Sequence, residues 1–248
     1  MQLSERRVPS GIRAWFDLAR AGNFPSVVSN VVAAAWLSSH VGAGERVEWL
    51  TLALAAMGGI LIYAGGATLN DVVDADFDAA RRPERAIPSG RVGRLQALGG
   101  AAVEMVLGVL ALLTAGANGL MLAGLVSVII AYDWLHKRWL GSVVLMAGCR
   151  VMLALAVASL PGHVRTPALH TWLVVLFAYI VIVSLLARWE YRPGAPAARL
   201  GRAVGKLLAF IPLVDALALA LAGAWPVAMA CAAAIPLGRW TQRLAAST

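Results

Sequence analysis

Four of the 13 acidic residues of this 248-residue chain lie in one short stretch, at Asp71, Asp74, Asp76 and Asp78. On a helix of 3.6 residues per turn, Asp71, Asp74 and Asp78 share one face about 100° wide with Asn70, whereas Asp76 lies on another face. Like charges on one face repel, so a positive group is expected beside them. Hard cations such as Mg²⁺ take oxygen ligands, often together with substrate phosphates. The spacing predicts an Mg²⁺ site formed by Asp71, Asp74 and Asp78.

The same stretch also has a simpler interpretation, as a solvated polar loop that ends a helix. A basic segment, residues 81–94, follows it. Arginine binds phosphate oxygens well, which would suit a charged substrate. Basic residues also mark the cytoplasmic side of a membrane protein. Both interpretations of the basic segment can hold together.

The elements that position these residues are predicted from composition. Hydrophobic residues make up 60% of the chain and charged residues 14%, against about 25% charged in an average soluble domain. Such a chain is not disordered, disulfide-stapled or an ordinary soluble enzyme. Its apolar segments fall at 22–40, 47–69, 94–115, 118–134, 141–160, 169–188, 203–222 and 225–240. They predict an all-α, polytopic membrane helical bundle of about eight (eight to nine) transmembrane helices, formed by one domain, residues 1–248.

The lysines and arginines predict the orientation. Near the ends of the apolar segments or outside them, 18 of the 21 fall on one side of the bilayer and two on the other, while Arg150 lies deep inside a segment. Because basic residues concentrate on the cytoplasmic side, both termini and the acidic stretch are expected to be cytoplasmic. The protein is expected in the inner membrane if its source is bacterial. The basic residues lie between apolar segments and form no stripe on a soluble face, which argues against nucleic acid as a partner.

Two motifs carry a family resemblance. Residues 70–78 read N-D-x-x-D-x-x-x-D and residues 82–90 read R-P-x-R-x-I-P-S-G, at the end of the second apolar segment. Together they resemble the first aspartate-rich motif of the UbiA superfamily of intramembrane prenyltransferases. Residues 20–25 and 132–138 resemble further parts of that family.

This resemblance implies a helical bundle around a central cavity, with Mg²⁺ as cofactor and with an isoprenyl diphosphate and an aromatic or other small acceptor as partners within the bilayer. It implies Mg²⁺-dependent transfer of the prenyl group. The expected catalytic residues are Asp71, Asp74, Asp78, Glu190 and Lys137, of which the three aspartates are also the metal ligands. The expected substrate-binding residues are Asn23, Asn70, Arg85, Tyr132, Arg138, Arg150 and Arg192.

The sequence departs from the family at the second aspartate-rich motif. Residues 187–193 contain one carboxylate, Glu190, where several are expected. Either Glu190 with Asp133 forms the second metal site, or nearby basic residues neutralise the diphosphate directly. Those residues are Arg188, Arg192, Arg199, Arg202 and Lys206, which could equally be membrane anchors.

The degenerate motif leaves a second function open. The chain could be a non-catalytic, polytopic lipid-binding or transport protein with a UbiA-like fold. Within the superfamily, the same degenerate motif with His136-Lys137 and Cys149-Arg150 is similar to the UbiA-like proteins of bacterial and algal ebo gene clusters.

Three charged residues fall deep inside apolar segments: Glu104, Arg150 and Asp215. Charged residues within the bilayer usually face the bundle interior or a cavity. All three lie at a similar depth, about 13–18 Å from the cytoplasmic edge at 1.5 Å per residue. Arg150 is therefore expected to pair with Glu104 or Asp215 at the cavity floor, in a structural or a functional role.

Overall fold

The computed structural model describes residues 10–39, 48–189 and 197–244. Its described elements are helices, besides one isolated bridge between Ser39 and His163. In chain order they are α1 (Ser10–Leu18), α2 (Phe24–Ser38), α3 (Trp49–Val73), α4 (Ala75–Arg81), α5 (Arg94–Thr114), α6 (Gly119–Leu135), α7 (Ser142–Val157), α8 (Pro167–Trp189), α9 (Ala197–Ala209), α10 (Ile211–Leu221) and α11 (Trp225–Leu244). A single 3-10 turn, Ala21–Asn23, joins α1 to α2.

The predicted all-α class is confirmed, whereas the predicted number of helices differs from the structure. Every predicted apolar segment coincides with a helix, and the short helices α1 and α4 come in addition. The seventh segment contains two helices, α9 and α10, which meet at Phe210. Pro212 lies in the first turn of α10, where its missing N–H costs no hydrogen bond.

Four helical stretches of the described chain are long and apolar enough to cross a membrane: Trp49–Val73, Arg94–Thr114, Pro167–Trp189 and Leu200–Leu221. The helices α6 and α7 are also apolar but shorter, with 17 and 16 residues. Large apolar side chains point outward, among them Leu95 at 81% and Leu221 at 90% exposure. A surface of this kind is suited to lipid rather than to water.

The helix α2 lies at the centre of the bundle and contacts α3, α7, α8, α10 and α11. Its small residues allow these neighbours to approach closely, and Val27, Val31 and Ala34 are completely buried. The side chain of Trp172 from α8 is also buried in this core. The central position of α2 brings its polar residues into the interior, where they need hydrogen-bond partners.

The helices α3 and α5 pack backbone to backbone through glycine. A Cβ atom at Gly58 would lie 2.9 Å from the carbonyl oxygen of Gly108, and one at Gly108 would lie 2.8 Å from that of Gly58. Both distances are shorter than a carbon–oxygen contact allows, so the crossing requires glycine at both positions. Small residues serve helix pairs in membranes in this way, since lipid offers no hydrophobic force between helices.

Candidate active site

The acidic stretch lies at the break between α3 and α4. Asp74 ends α3, and its N–H donates to Asn70 O at 2.9 Å, while the N–H of Asp78 donates to Asp74 O at 2.8 Å. The helical path therefore continues through the break, and Asn70, Asp71, Asp74 and Asp78 are all buried. The side chain of Asp76 is 87% exposed and pairs with Arg94. The predicted helical face is confirmed, including the different direction of Asp76.

Basic side chains of the protein itself neutralise two of these carboxylates. Asp71 Oδ1 lies 3.1 Å from Nη2 of Arg20 and 3.1 Å from Nη1 of Arg85. The same Nη1 atom of Arg85 lies 2.9 Å from Asp78 Oδ2. One guanidinium nitrogen thus bridges two carboxylates, which relieves the repulsion between like charges on one face.

The third carboxylate, Asp74, is paired with the segment that follows α6. Its Oδ1 lies 2.6 Å from Lys137 Nζ, and its Oδ2 lies 3.1 Å from Nε2 of His136. Burial opposes ionisation of Asp74, but the hydrogen bonds from His136 and Lys137 outweigh it and lower the pKa of this carboxyl. For Asp78 the balance is the reverse, because burial raises its pKa more than Arg85 lowers it. Asp74 is therefore the more readily ionised of the two.

Arg20 is a site residue that belongs to the family-like segment 20–25 but was not among the expected site residues. Its Nη2 atom donates to Asn70 Oδ1 and Asp71 Oδ1, each at 3.1 Å. Its backbone is left-handed, with φ 47° and ψ 48°, a conformation that costs energy for any residue other than glycine. The signal available in the sequence was an arginine a few residues before Pro25, which lies in the first turn of α2.

A small apolar cluster holds the loop that carries Arg85. Ala86 and Val92 of this loop pack with Ala14 and Leu18 of α1, and all four are buried. The N–H of Val92 donates to Ala86 O at 3.1 Å and closes the loop. The amphipathic helix α1 thus packs against the basic segment and holds it beside the aspartates.

These charged groups line an outer cavity of about 610 Å³. Its charged or ionisable lining residues are Arg20, Asp74, Asp78, Arg82, Arg85, Tyr132, His136, Lys137 and Arg188. Phe77 also lines it, and Lys137 Nζ lies 3.5 Å from the centre of the Phe77 ring. The outer cavity is large enough for a small anionic ligand and presents mainly cationic side chains to it.

A second, smaller chamber of about 80 Å³ adjoins the outer cavity. The two share Arg20, Asn70, Tyr132 and Met146 as lining residues. The remaining wall of this inner chamber is mostly apolar, formed by Ile62, Gly66, Ala67, Leu125, Ile129 and Leu153. Tyr132 stands at the junction, stacked on the ring of His136 with 5.2 Å between centroids. A charged compartment and an apolar one therefore meet at one aromatic residue.

Arg150 lines the inner chamber, and its predicted ion pair is not formed. Its Nη1 donates to Asn30 Oδ1 at 2.8 Å and its Nη2 to Ser26 Oγ at 3.0 Å. Asn30 Nδ2 in turn donates to both carboxylate oxygens of Asp215, at 2.9 and 2.8 Å. The prediction of direct contact was wrong because the polar residues of α2 lie between the two charges.

Arg150, Ser26, Asn30 and Asp215 form an interior network, and two further side chains donate hydrogen bonds to Asp215. Glu104 is not part of this network. Ser29 and Trp172 donate to Asp215 at 2.5 and 3.0 Å. Glu104 accepts a hydrogen bond from Thr68 at 3.3 Å, between α3 and α5. The predicted alternative pair of Arg150 with Glu104 was therefore also wrong.

The other predicted site residues fall at different distances from the cavities. Asn23 is buried and donates to the hydroxyl of Tyr63 at 2.9 Å, so it supports a wall residue of the inner chamber. Arg138 is exposed and lines neither cavity, unlike its neighbour Lys137. The chain turns after α6, so the two side chains lie on different sides of the turn. Glu190 and Arg192 lie outside the described residues.

The carboxylates of Asp71, Asp74 and Asp78 suit a hard cation chemically, although basic side chains of the protein already contact them. Carboxylate oxygens are the ligands that Mg²⁺ prefers, and Asp133 Oδ2 adds a buried oxygen without a hydrogen-bond partner among the described residues. In the described chain, however, no three acidic, histidine or cysteine side chains are grouped closely enough to hold a metal ion. A cation between Asp71 and Asp78 therefore requires Arg85 to move.

The family of the chain follows from this arrangement and from one comparison. A model of the UbiA prenyltransferase family matches residues 30–192, which include the aspartates, the basic segment and Lys137. The chain belongs to the UbiA prenyltransferase family. The resemblance predicted from the two motifs is confirmed, and the protein is an integral membrane protein.

Relatives of the UbiA family carry several enzyme names. The chain is 30% identical to digeranylgeranylglyceryl phosphate synthase of Methanopyrus kandleri over 68% of its own length and 61% of that protein. It is 30% identical to 4-hydroxybenzoate octaprenyltransferase of Paracidovorax citrulli, over 67% and 57% of the two chains. The chain thus spans less than two thirds of the length of these relatives.

Solved structures of the UbiA family share the fold. A UbiA homologue from Archaeoglobus fulgidus, bound to DMAPP and Mg²⁺, superposes with a TM-score of 0.57 and 13% identity. The match covers 93% of this chain and 86% of that one. At this identity the likeness concerns the fold alone.

Proposed function

We propose that this protein transfers a prenyl group from an isoprenyl diphosphate to a small acceptor within the membrane, and that it needs Mg²⁺. The observation that carries the proposal is the junction between the two cavities, where a cationic outer cavity adjoins a mostly apolar inner chamber. An allylic diphosphate has the same two parts, a charged head and an apolar tail. The enzyme names of the relatives support this reaction.

The diphosphate is assigned to the outer cavity. Mg²⁺ bound by Asp71, Asp74 and Asp78 would neutralise the charge of the leaving diphosphate. Arg85 and Lys137 already lie in this cavity and carry donors that suit phosphate oxygens. A cation bound to these carboxylates in their place would leave Arg85 and Lys137 free to hold the diphosphate. Asn70 keeps Arg20 and Asp133 in position through its two hydrogen bonds.

The prenyl group is assigned to the inner chamber. As the bond between its first carbon and the diphosphate oxygen breaks, the electron pair leaves with the diphosphate and positive charge develops on the prenyl carbon. The ring of Tyr132, at the junction, can stabilise such a charge. The apolar wall keeps water from the cation before the acceptor attacks it.

The interior network is assigned to support the inner end of this chamber. Arg150 lines the inner chamber and is fixed by Asn30 and Ser26, and Asn23 orients Tyr63 in the same wall. Arg150 can donate hydrogen bonds to an oxygen of the acceptor from this position. Glu190 and Arg192 stay predictions from the family resemblance.

The orientation follows from the distribution of charge. The positive-inside rule assigns both termini and the mouth of the outer cavity to the cytoplasm. The concentration of Arg20, Arg82, Arg85, Lys137 and Arg188 around the outer cavity agrees with that side. Substrate diphosphate would therefore enter from the cytoplasm.

Equilibrium binding tests the assignment of the diphosphate. Purified full-length protein is titrated with geranyl thiodiphosphate, a slowly reacting analogue, with Mg²⁺ and with EDTA. We expect Mg²⁺-dependent binding that Asp78→Asn weakens. Asp76→Asn is the matched control, since Asp76 lies on the same helix α4 but is exposed. Equal binding by both variants would contradict the proposal.

A further inference from the structure

The end of α8 supplies one more cation to the outer cavity, Arg188. Its Nη2 atom donates to the carbonyl oxygens of His136 and Trp139 and, at 2.6 Å, to Ser142 Oγ. These three contacts fix the guanidinium to the segment between α6 and α7. All of them use Nη2, so within the described residues Nη1 and Nε have no protein acceptor.

The partners of Arg188 differ from those of Arg20, Arg85 and Lys137, three other cations of the cavity. Arg20, Arg85 and Lys137 each contact an aspartate at 2.6–3.1 Å. Arg188 contacts neutral oxygens, and in the described part of the chain no carboxylate lies within salt-bridge distance of it. Its charge is therefore not neutralised by a described partner, while its position is already fixed. A fixed arginine with free donors is suited to phosphate, which it can bind through two parallel hydrogen bonds.

The position of Arg188 along the chain adds to this contrast. The family resemblance expects the second carboxylate cluster directly after the sixth apolar segment, and α8 is that segment. The residues of α8 that line the outer cavity are Val183, Ser184, Ala187 and Arg188, none of them acidic. Of the other basic residues considered from the sequence, Arg202 and Lys206 are exposed and line neither cavity.

We propose that Arg188 binds the diphosphate directly and supplies, as a fixed cation, the positive charge that a second metal would bring. The diphosphate is then held between the aspartates of α3 and α4 with their metal and the guanidinium at the end of α8. Because Arg188 is anchored beside His136, it also fixes the segment that carries Lys137. This inference rests on the proposed function, since it concerns the same diphosphate.

Binding of inorganic pyrophosphate tests the role of Arg188 without an acceptor or a reaction. Purified full-length protein is titrated with pyrophosphate at saturating Mg²⁺, and the dissociation constant is measured for Arg188→Gln and Arg188→Lys. Loss of a charge-assisted contact is expected to weaken binding about tenfold or more in Arg188→Gln. Arg188→Lys keeps the charge but loses the planar fork, so an intermediate weakening is expected. Arg202→Gln is the matched control and should bind like the wild type.

The outcomes separate this inference from the proposed function. If Arg188→Gln binds pyrophosphate as the wild type does, while Asp71→Asn does not, the role of Arg188 is overturned and the proposed function stands. If Arg188→Gln weakens binding but binding needs neither Mg²⁺ nor Asp71, the anion site is confirmed and the metal-dependent function falls. A wild-type protein that does not bind pyrophosphate overturns both. If the melting curve shows that Arg188→Gln is unfolded, the folded Arg188→Lys variant decides instead. Wild-type binding of pyrophosphate by Arg188→Lys would overturn the planar contact between Arg188 and the diphosphate.

Discussion

Lys137 and Asp74 form a salt bridge, with 2.6 Å between Nζ and Oδ1, that joins the segment after α6 to the break between α3 and α4. Both residues line the outer cavity. Lys137 thus contacts a carboxylate that the family resemblance assigns to metal binding. The same relationship recurs at Asp71 and Asp78 with Arg85, so the aspartates of this site are held in place by cations of the protein.

The first prediction concerns the pH dependence of stability at Asp74. Hydrogen bonds from His136 and Lys137 lower its pKa in the folded protein, whereas an unfolded aspartate has a pKa of about 3.9. A carboxyl with a lowered folded-state pKa stabilises the fold above the unfolded pKa and loses this effect as the pH falls through the folded pKa. The difference in melting temperature between wild type and Asp74→Asn, measured in EDTA, should therefore shrink as the pH falls below about 4. A difference that grows as the pH falls would contradict the assignment.

The second prediction separates the two contacts of Arg85. Its guanidinium bridges Asp71 and Asp78, so Arg85→Gln removes a competitor for cations and also a ligand for phosphate. We expect Mn²⁺, used as a spectroscopic substitute for Mg²⁺, to bind the variant more tightly without diphosphate. Pyrophosphate should bind it less tightly, by roughly tenfold. Arg94→Gln serves as control, because Arg94 contacts the exposed Asp76. A parallel loss of both affinities would show that Arg85 only supports the fold.

The third prediction concerns the interior network of Arg150, Asn30 and Asp215. Arg150→Met removes the hydrogen bonds of the guanidinium to Asn30 and Ser26 and a positive charge that attracts Asp215, which should lower the free energy of unfolding by about 1.5–3 kcal/mol. Adding Asp215→Asn removes the uncompensated charge, so the double variant should lose less than the sum of the single losses. Glu104→Gln provides the comparison, since Glu104 contacts Thr68 and not Arg150. Strict additivity of Arg150→Met and Asp215→Asn would contradict the coupling through Asn30.

The fourth prediction concerns the length of the prenyl group. Gly66 lines the inner chamber, and a Cβ atom there would lie 3.2 Å from Cγ2 of Ile129. Gly66→Leu should therefore fill the chamber and reduce turnover of geranyl diphosphate more than that of dimethylallyl diphosphate. At Gly99 a Cβ atom would meet nothing within 4 Å, so Gly99→Leu is the matched control. Equal losses for both substrates would show that the prenyl group does not enter this chamber.

Much of the fold could be predicted from local patterns. Apolar segments and basic loops are properties of neighbouring residues, and helical periodicity placed Asp71, Asp74 and Asp78 on one face and Asp76 on another. The two parts of the seventh segment were not separated, although Pro212 marks the start of α10. Hydropathy alone does not register a break when apolar residues continue across it, as Leu207 and Leu208 do before Ile211.

The partners of the charged residues could not be predicted in the same way. Arg20 reaches Asp71 across 51 positions of the chain, and Arg150 reaches Asn30 across 120. Such contacts depend on which helices are neighbours and on the turn of each helix about its axis. The sequence predicts a similar depth for Arg150 and Asp215, but depth alone does not show that Asn30 lies between them.

The central claim is that the aspartates bind a metal that activates a prenyl diphosphate, and product formation tests it most directly. Purified full-length protein is incubated with geranyl diphosphate, Mg²⁺ and a panel of aromatic and lipid acceptors, and the release of inorganic diphosphate is measured. We expect release that requires Mg²⁺, that falls roughly 100-fold or more in Asp71→Asn, and that persists in Asp76→Asn. Mg²⁺-dependent binding without release for any acceptor would instead favour a lipid-binding protein with this fold. Release that is unchanged in Asp71→Asn would contradict the account.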